Sequence, residues 1–238
     1  MDIPSGSQLD SDEFPILSSL DARQFTDLLD QMSFISQCSE LLDNFIITKA
    51  SRSLINPRLK RYQFVREVTM YYNILEEYFM IQSCKKAIEI DSKDAHTKTS
   101  TMIDNVFFIF KRCSLRAISS NNVNSACSII NMIANLLNID IKHVLESQLI
   151  DLFATSPSAG SFDLLSAILL LNNVDMSLVY LQKLHSELDQ ETKKLCSNSS
   201  KDLEKVSTCL HELHRISKSW KEDLLMVIMI YFIKITFI

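Results

Sequence analysis

The tightest group of chemically capable residues is the run Cys209-Leu210-His211-Glu212-Leu213-His214. Zinc accepts both thiolate and imidazole, and a helix sets His211 and His214, three residues apart, on one face. Cys209 lies two residues from His211, on a different side of that helix, and no second ligand cluster accompanies it. The spacing predicts a polar helix face and no metal. Glu76-Glu77, with Tyr78 beside them, offers paired carboxylates. Acid–base work needs two carboxyls held across a cleft, whereas neighbours on a helix diverge by about 100°. The pair is therefore expected to form a charged helix edge. His96, His143 and His185 stand apart from any Ser or Cys in a nucleophile turn. Phe107-Phe108 and Tyr71-Tyr72 have the flat faces that stack bases, but no basic groove accompanies them, so they read as packing residues. No catalytic, cofactor-binding or metal residue is expected, and the chain reads as a protein other than an enzyme.

The elements that would carry such residues are constrained by glycine. Only Gly6 and Gly160 occur in 238 residues, with four prolines. Hairpins need glycine for positive φ, and phosphate loops need it for close backbone approach. Two distant glycines exclude both and leave helices. The apolar fraction of 47% is that of a globular chain, which argues against wholesale disorder. A net charge of −5 disfavours nucleic acid, whose binding rests on Lys and Arg neutralising phosphates. The most basic stretch, Arg58, Lys60, Arg61 and Arg66, spreads round a helix as solvated charge. Cys38, Cys84, Cys113, Cys127, Cys196 and Cys209 include no CxxC pair and sit mostly among apolar residues, so they read as reduced, buried small hydrophobes. Met1 to Phe14 is acidic and polar, unlike a signal peptide.

The fold expected is all-α, a helical bundle or a rod of stacked bundles. Residues 1–20, with Pro4, Gly6 and Pro15, read as a flexible lead-in. A bundle region, 21–220, follows. Its first helix begins at Asp21 as N-cap, with Phe25, Leu28, Leu29, Met32, Ile35, Leu42 and Phe45 on one apolar face. Pro57 disfavours helix at Asn56, and a second pattern covers about 59–90 with Phe64, Val65, Val68, Tyr72, Leu75, Tyr78 and Phe79 as its stripe. A third covers about 95–119 through Met102, Val106, Phe107, Ile109, Phe110, Cys113 and Ile118. Ser119 to Asn122 is a polar break with capping chemistry. Helices are then expected over about 123–137, 140–153, 162–194 and 199–219. The loop from Ala154 to Ser161 carries Pro157 and Gly160, and Ser199 and Asp202 stand at capping-box spacing. No fixed-period repeat indicates a solenoid.

Residues 221–238 form an atypical apolar tail. Leu224 to Ile238 is apolar except for Lys234 and Thr236, yet shorter than the roughly 20 residues of a membrane-spanning helix. A substituted tail, a buried helix and a short tail anchor remain open readings.

Several strings carry a family likeness. Glu77-Tyr78-Phe79-Met80 is followed by Lys86-Ala87 and Asp91, then by the run from Ser100 to Ile109. Lys111-Arg112-Cys113, Arg116 to Asn121, Ile129-Ile130-Asn131, Leu171 to Val174 and Leu181 to Leu188 continue it. Through them the chain resembles the subunit 4 family of the conserved oligomeric Golgi tethering complex, over roughly residues 33–215. The resemblance implies rods of helical bundles and a cytoplasmic protein peripheral on the Golgi membrane. It implies vesicle tethering in retrograde intra-Golgi transport, through contacts with the other subunits, SNAREs and a Sec1/Munc18-type protein. No cofactor and no nucleic acid are implied. Against the family pattern, the long N-terminal region is absent, the stretch before Leu171 is shortened, and the likeness stops after Trp220. Two readings from other classes are an unrelated cytosolic helical adaptor and a protein tail-anchored through residues 224–238.

Overall fold

A computed structural model describes residues 21–49, 55–91, 100–154, 164–196 and 199–236. These form α1 (Ala22–Lys49), α2 (Ile55–Glu89), α3 (Thr101–Ser119), α4 (Val123–Leu136), a π-helical turn (Leu137–Ile141), α5 (Lys142–Ala154), α6 (Leu164–Leu195) and α7 (Ser200–Thr236). Among the described residues there is no strand. One apolar cluster runs from Phe25 to Trp220, so the architecture is a helical bundle with a shared core. The short helix α3 is its axle, packed against α1, α2, α4 and α6. Met102, Val106, Phe107, Phe110, Cys113, Ala117 and Ile118 of α3 are all buried, at the three- and four-residue spacing that keeps side chains on one face.

Local chemistry fixes where α1, α4 and α7 start. Asp21 and Gln24 make a reciprocal cap: the Gln24 amide donates to Asp21 Oδ1 at 2.7 Å, and the Asp21 amide donates to Gln24 Oε1 at 3.1 Å. Asn122 Oδ1 accepts from the amides of Asn124 and Ser125 and starts α4. Asn121 before it takes φ 60°, a left-handed conformation that asparagine tolerates better than most residues. At α7, Ser199 Oγ accepts from the Asp202 amide at 3.3 Å.

Some boundaries differ from the sequence expectation. Helix α2 already includes Asn56, because Pro57 falls in its first turn, where a missing N–H costs nothing. Helix α3 begins at Thr101, with Ser100 extended as its N-cap; residues 92–99 lie outside the described set. Asp91 holds this start from the end of α2, its Oδ1 accepting from the Met102 amide at 2.9 Å. Asn173 of α6, itself buried, accepts from the Ser100 amide at 2.8 Å and donates to Ser100 Oγ at 3.1 Å. The gap expected between 137 and 140 is filled by the π turn, so α4 and α5 are continuous. The loop expected from Ala154 to Ser161 lies outside the described residues after Ala154, as does the lead-in at 1–20.

Helix α7 does not stop at 219. It passes through 220 to Thr236. Trp220 is fully buried, and Asp223 accepts from Lys142 at 2.6 Å and from Ser219 Oγ at 2.9 Å. No Gly or Pro follows to break the helix. Met226 and Met229 are exposed. Among the described residues no helix is long and apolar enough to cross a membrane.

Candidate functional site

The most organised polar group in the bundle centres on Arg116. It occurs three residues after Cys113 and seven after Ile109, so the helical period places it on the inward side of α3. Its partner, Glu76, stands four residues from both Tyr72 and Met80, on the inward side of α2. Arg116 Nε and Nη2 donate to the two carboxylate oxygens of Glu76 at 2.9 and 2.6 Å, and Nη1 donates to Asp30 of α1 at 2.9 Å. Side-chain exposure is 0% for Glu76 and 5% for Arg116, against 55% for Asp30. The guanidinium also lies 5.5 Å from the centroid of the Phe79 ring. Burial disfavours the arginine's charge, but the bonds to Glu76 outweigh it and raise the pKa. Burial, then the Glu76 charge, raise the Tyr72 phenol, whose hydroxyl is buried. The same two causes hold the Cys113 thiol well above its ordinary range.

This arrangement overturns the reading of Glu76 as part of a charged edge. A buried carboxylate needs a fixed cation, and the bidentate arginine provides one. Removing one member leaves a buried, uncompensated charge, at a cost of about 3–5 kcal/mol. The anchor joins three helices, and α1 is bound through it by polar contacts. Ser33 Oγ donates to the Arg116 carbonyl oxygen at 2.9 Å, and Asn122 donates to Glu40 at 3.3 Å. Burial raises the Glu40 carboxyl above its ordinary range, against that bond. An open cleft of about 430 Å³ lies along this contact, between α1 and α3.

The consequence is an inverted helix. Phe25 and Leu29 of α1 face the core, but further along the inward positions are Ser33 and Ser36. The large apolar residues there point outward: Phe34 is 63% exposed and Phe45 62%, with Ile35, Leu41 and Leu42 also exposed. Phe34, Cys38, Leu41 and Phe45 are spaced four, three and four, the seam by which one helix packs on another. The expectation that Ile35, Leu42 and Phe45 continue the buried face is therefore corrected. Helical period defines an apolar face, and here the inward contact is made by small polar residues instead. Phe64, Met70 and Tyr71 of α2 are exposed as well, so Phe64 leaves its predicted stripe.

The other candidates are separated by the fold. Cys209 faces Cys127 and Asn131 of α4, whereas the His214 ring lies 5.8 Å from that of His185 on α6. Burial, then His214, lower the His185 pKa. His211 is exposed. Among the described residues no group of three or more His, Cys, Asp or Glu could hold a metal ion. His143 is exposed near Ser147 at 3.4 Å, and His96 lies outside the described residues. The aromatic pairs split. Phe107 and Tyr72 are buried, while Phe108 and Tyr71 are exposed and do not pack in the core. Phe107 and Phe108 line a second cleft of about 400 Å³ between α3 and α6, where Tyr180 donates to Asp104 at 2.6 Å and Lys111 meets Glu187 at 2.8 Å.

Comparison with known proteins gives one consistent result. Residues 3–149 match the family described as COG4 transport protein, middle alpha-helical bundle. Conserved oligomeric Golgi complex subunit 4 of Arabidopsis thaliana is 30% identical over 168 residues, covering 66% of this chain and 22% of the relative. The Mus musculus protein of that name is 27% identical over 190 residues, covering 66% and 24%. The Caenorhabditis elegans one is 34% identical over 98 residues, covering 41% and 12%. The chain thus spans a quarter or less of the length of these relatives. No solved structure matches.

Proposed function

The chain belongs to the COG4 transport protein middle-bundle family, and on that premise we propose that it is a non-enzymatic subunit of a vesicle-tethering complex in retrograde intra-Golgi transport. The relatives are named for an oligomeric Golgi complex, and the observation that carries the reading here is the outward apolar seam of α1. Large exposed apolar patches on a folded domain mark contact surfaces. The seam from Phe34 to Phe45 fits a helix of a sister subunit, and the Arg116 anchor beneath it holds α1 in the register that presents it. SNAREs and a Sec1/Munc18-type protein are further partners in this reading, with peripheral attachment at the cytosolic face of the Golgi membrane. Residues 21–220 are the working bundle unit in this reading, with 221–238 as an atypical apolar tail.

The test is affinity purification of the tagged chain from its own cells, with and without residues 221–238. Several Golgi-complex subunits are expected with both forms, and the Leu41→Ser/Phe45→Ser double variant should lose them while remaining folded. A folded chain that recovers no Golgi-complex subunit, or recovers only an unrelated ligand, refutes the assignment in favour of an adaptor.

A further inference from the structure

The cleft between α3 and α6 is built from two matched helix faces. Tyr180 bonds Asp104 and Lys111 bonds Glu187, and both pairs span 76 residues, so the two helices run parallel and in register. From 104 to 111, and from 180 to 187, is two helical turns, about 10 Å, and the polar pairs close the cleft at its ends. Its floor is apolar: Phe107 is 6% exposed and Leu184 3%, and the Phe107 ring lies 5.6 Å from that of Tyr180. Phe108 lines the same space of about 400 Å³, yet is 64% exposed.

The charges around the cleft are not balanced. Asp104 already accepts from Tyr180 at 2.6 Å, and Glu187 is held by Lys111 at 2.8 Å. Arg112, one turn beyond Phe108, and Lys183 are exposed, and neither has a carboxylate partner among the described residues. Lys183 lies over the Tyr180 ring instead, 5.6 Å from its centroid. The acceptors are thus engaged, and two cations remain to receive one.

We propose that this cleft is a docking site for an acidic amphipathic helix of another protein. The incoming helix seats two large apolar side chains, one turn apart, between α3 and α6, and sets Asp or Glu against Arg112 and Lys183. A groove between parallel helices takes a third helix laid along it, with anchors at the three- and four-residue spacing. The two turns between the end pairs fit two such anchors. The apolar floor supplies the affinity, because exposed ion pairs contribute little. The cations select the sign of the partner's charge, since a basic helix would meet like charge there. None of the lining residues lies on α1, so this contact surface is separate from the seam between Phe34 and Phe45.

The probe is a displayed library of amphipathic peptides of about 18 residues, long enough to form a helix once docked. Two positions one turn apart are varied between large apolar residues and Ser, and the flanking positions among Glu, Gln and Lys. The purified 238-residue chain is the bait. Sequences with both anchors apolar and Glu at the flanks are expected to be enriched. The best of them, made as a labelled peptide, should bind at least about tenfold more weakly to Phe108→Ala and to the Arg112→Glu/Lys183→Glu double variant. Its Lys-flanked counterpart should prefer the double variant to the unsubstituted chain. All three side chains are exposed, so thermal melts of the variants should coincide with that of the unsubstituted chain. No enrichment, enrichment indifferent to flanking charge, or a selected peptide that binds Phe108→Ala undiminished overturns the proposal. A dimer seen by light scattering and lost on Phe108→Ala would assign the cleft to a second copy and overturn it as well. The readout rests on α3 and α6, so its failure leaves the tethering assignment untouched.

Discussion

Helix α3 and the distal half of α1 carry the same kind of apolar pattern and use it in opposite ways. On α3, Met102, Val106, Phe110 and Cys113 turn inward and are buried by four neighbouring helices. On α1, Phe34, Leu41 and Phe45 turn outward, while Ser33 and Ser36 make the inward contact. An apolar stripe shows that a helix wants a partner, but not whether that partner is in the same chain. What decides the orientation of α1 is polar. The Arg116 guanidinium donates to Asp30, and the Arg116 carbonyl accepts from Ser33, so rotating α1 to bury Phe34 would strip the anchor of both.

The largest expected effect falls on that anchor. Arg116→Leu leaves Glu76 buried without a cation and should cost about 3–5 kcal/mol, read from the midpoint of a denaturant titration. Glu76→Leu combined with Arg116→Leu should recover most of the loss, since no bare charge remains. A double variant as unstable as the sum of the singles would show that the pair is not one coupled unit. Next, Leu29→Ala at the inward end of α1 should cost about 2–5 kcal/mol through the cavity it leaves. A loss below about 0.5 kcal/mol there would mean that α1 is not docked through its proximal half. Asp21→Ala removes half of the reciprocal cap and should cost about 1 kcal/mol, visible as a small drop in thermal midpoint. Smallest of all, Phe34→Ser and Leu41→Ser should each change stability by no more than about 0.5 kcal/mol. Strong destabilisation by either would place these side chains in a core and erase the contrast with α3.

The features legible in the sequence were those set by local chemistry and by period. Two glycines in the whole chain excluded hairpin-rich folds, and the caps at Asp21, Asn122 and Ser199 fell where side-chain acceptors meet free amides. The α3 face was equally clear, because Met102, Val106, Phe107, Phe110, Cys113 and Ile118 of its expected stripe are all buried. The anchor was half legible. Glu76 sits in phase with Tyr72 and Met80, and Arg116 in phase with Ile109 and Cys113, yet each alone reads as a surface charge. Only their pairing across 40 residues explains the burial. The end of α7 was misplaced because the composition shift after Trp220 looked like a boundary, whereas backbone hydrogen bonding continues wherever no Gly or Pro interrupts it. The direction of α1 was not legible, because a serine that packs against a neighbouring backbone has no distinctive spacing.

The wide turn at Leu137–Ile141 has a consequence for how this stretch tolerates insertion and deletion. A π turn closes from i to i+5, about one residue more per turn than an α-helix. The path from α4 into α5 therefore holds one residue of slack. Losing a single codon within 137–141 would tighten the turn to ordinary helix and leave Leu145 and Leu149 facing the core. The same loss in the middle of α3 would rotate every following side chain by about 100° and carry Arg116 away from Glu76. Length variation among homologous bundles is expected to gather at this turn and to spare α3.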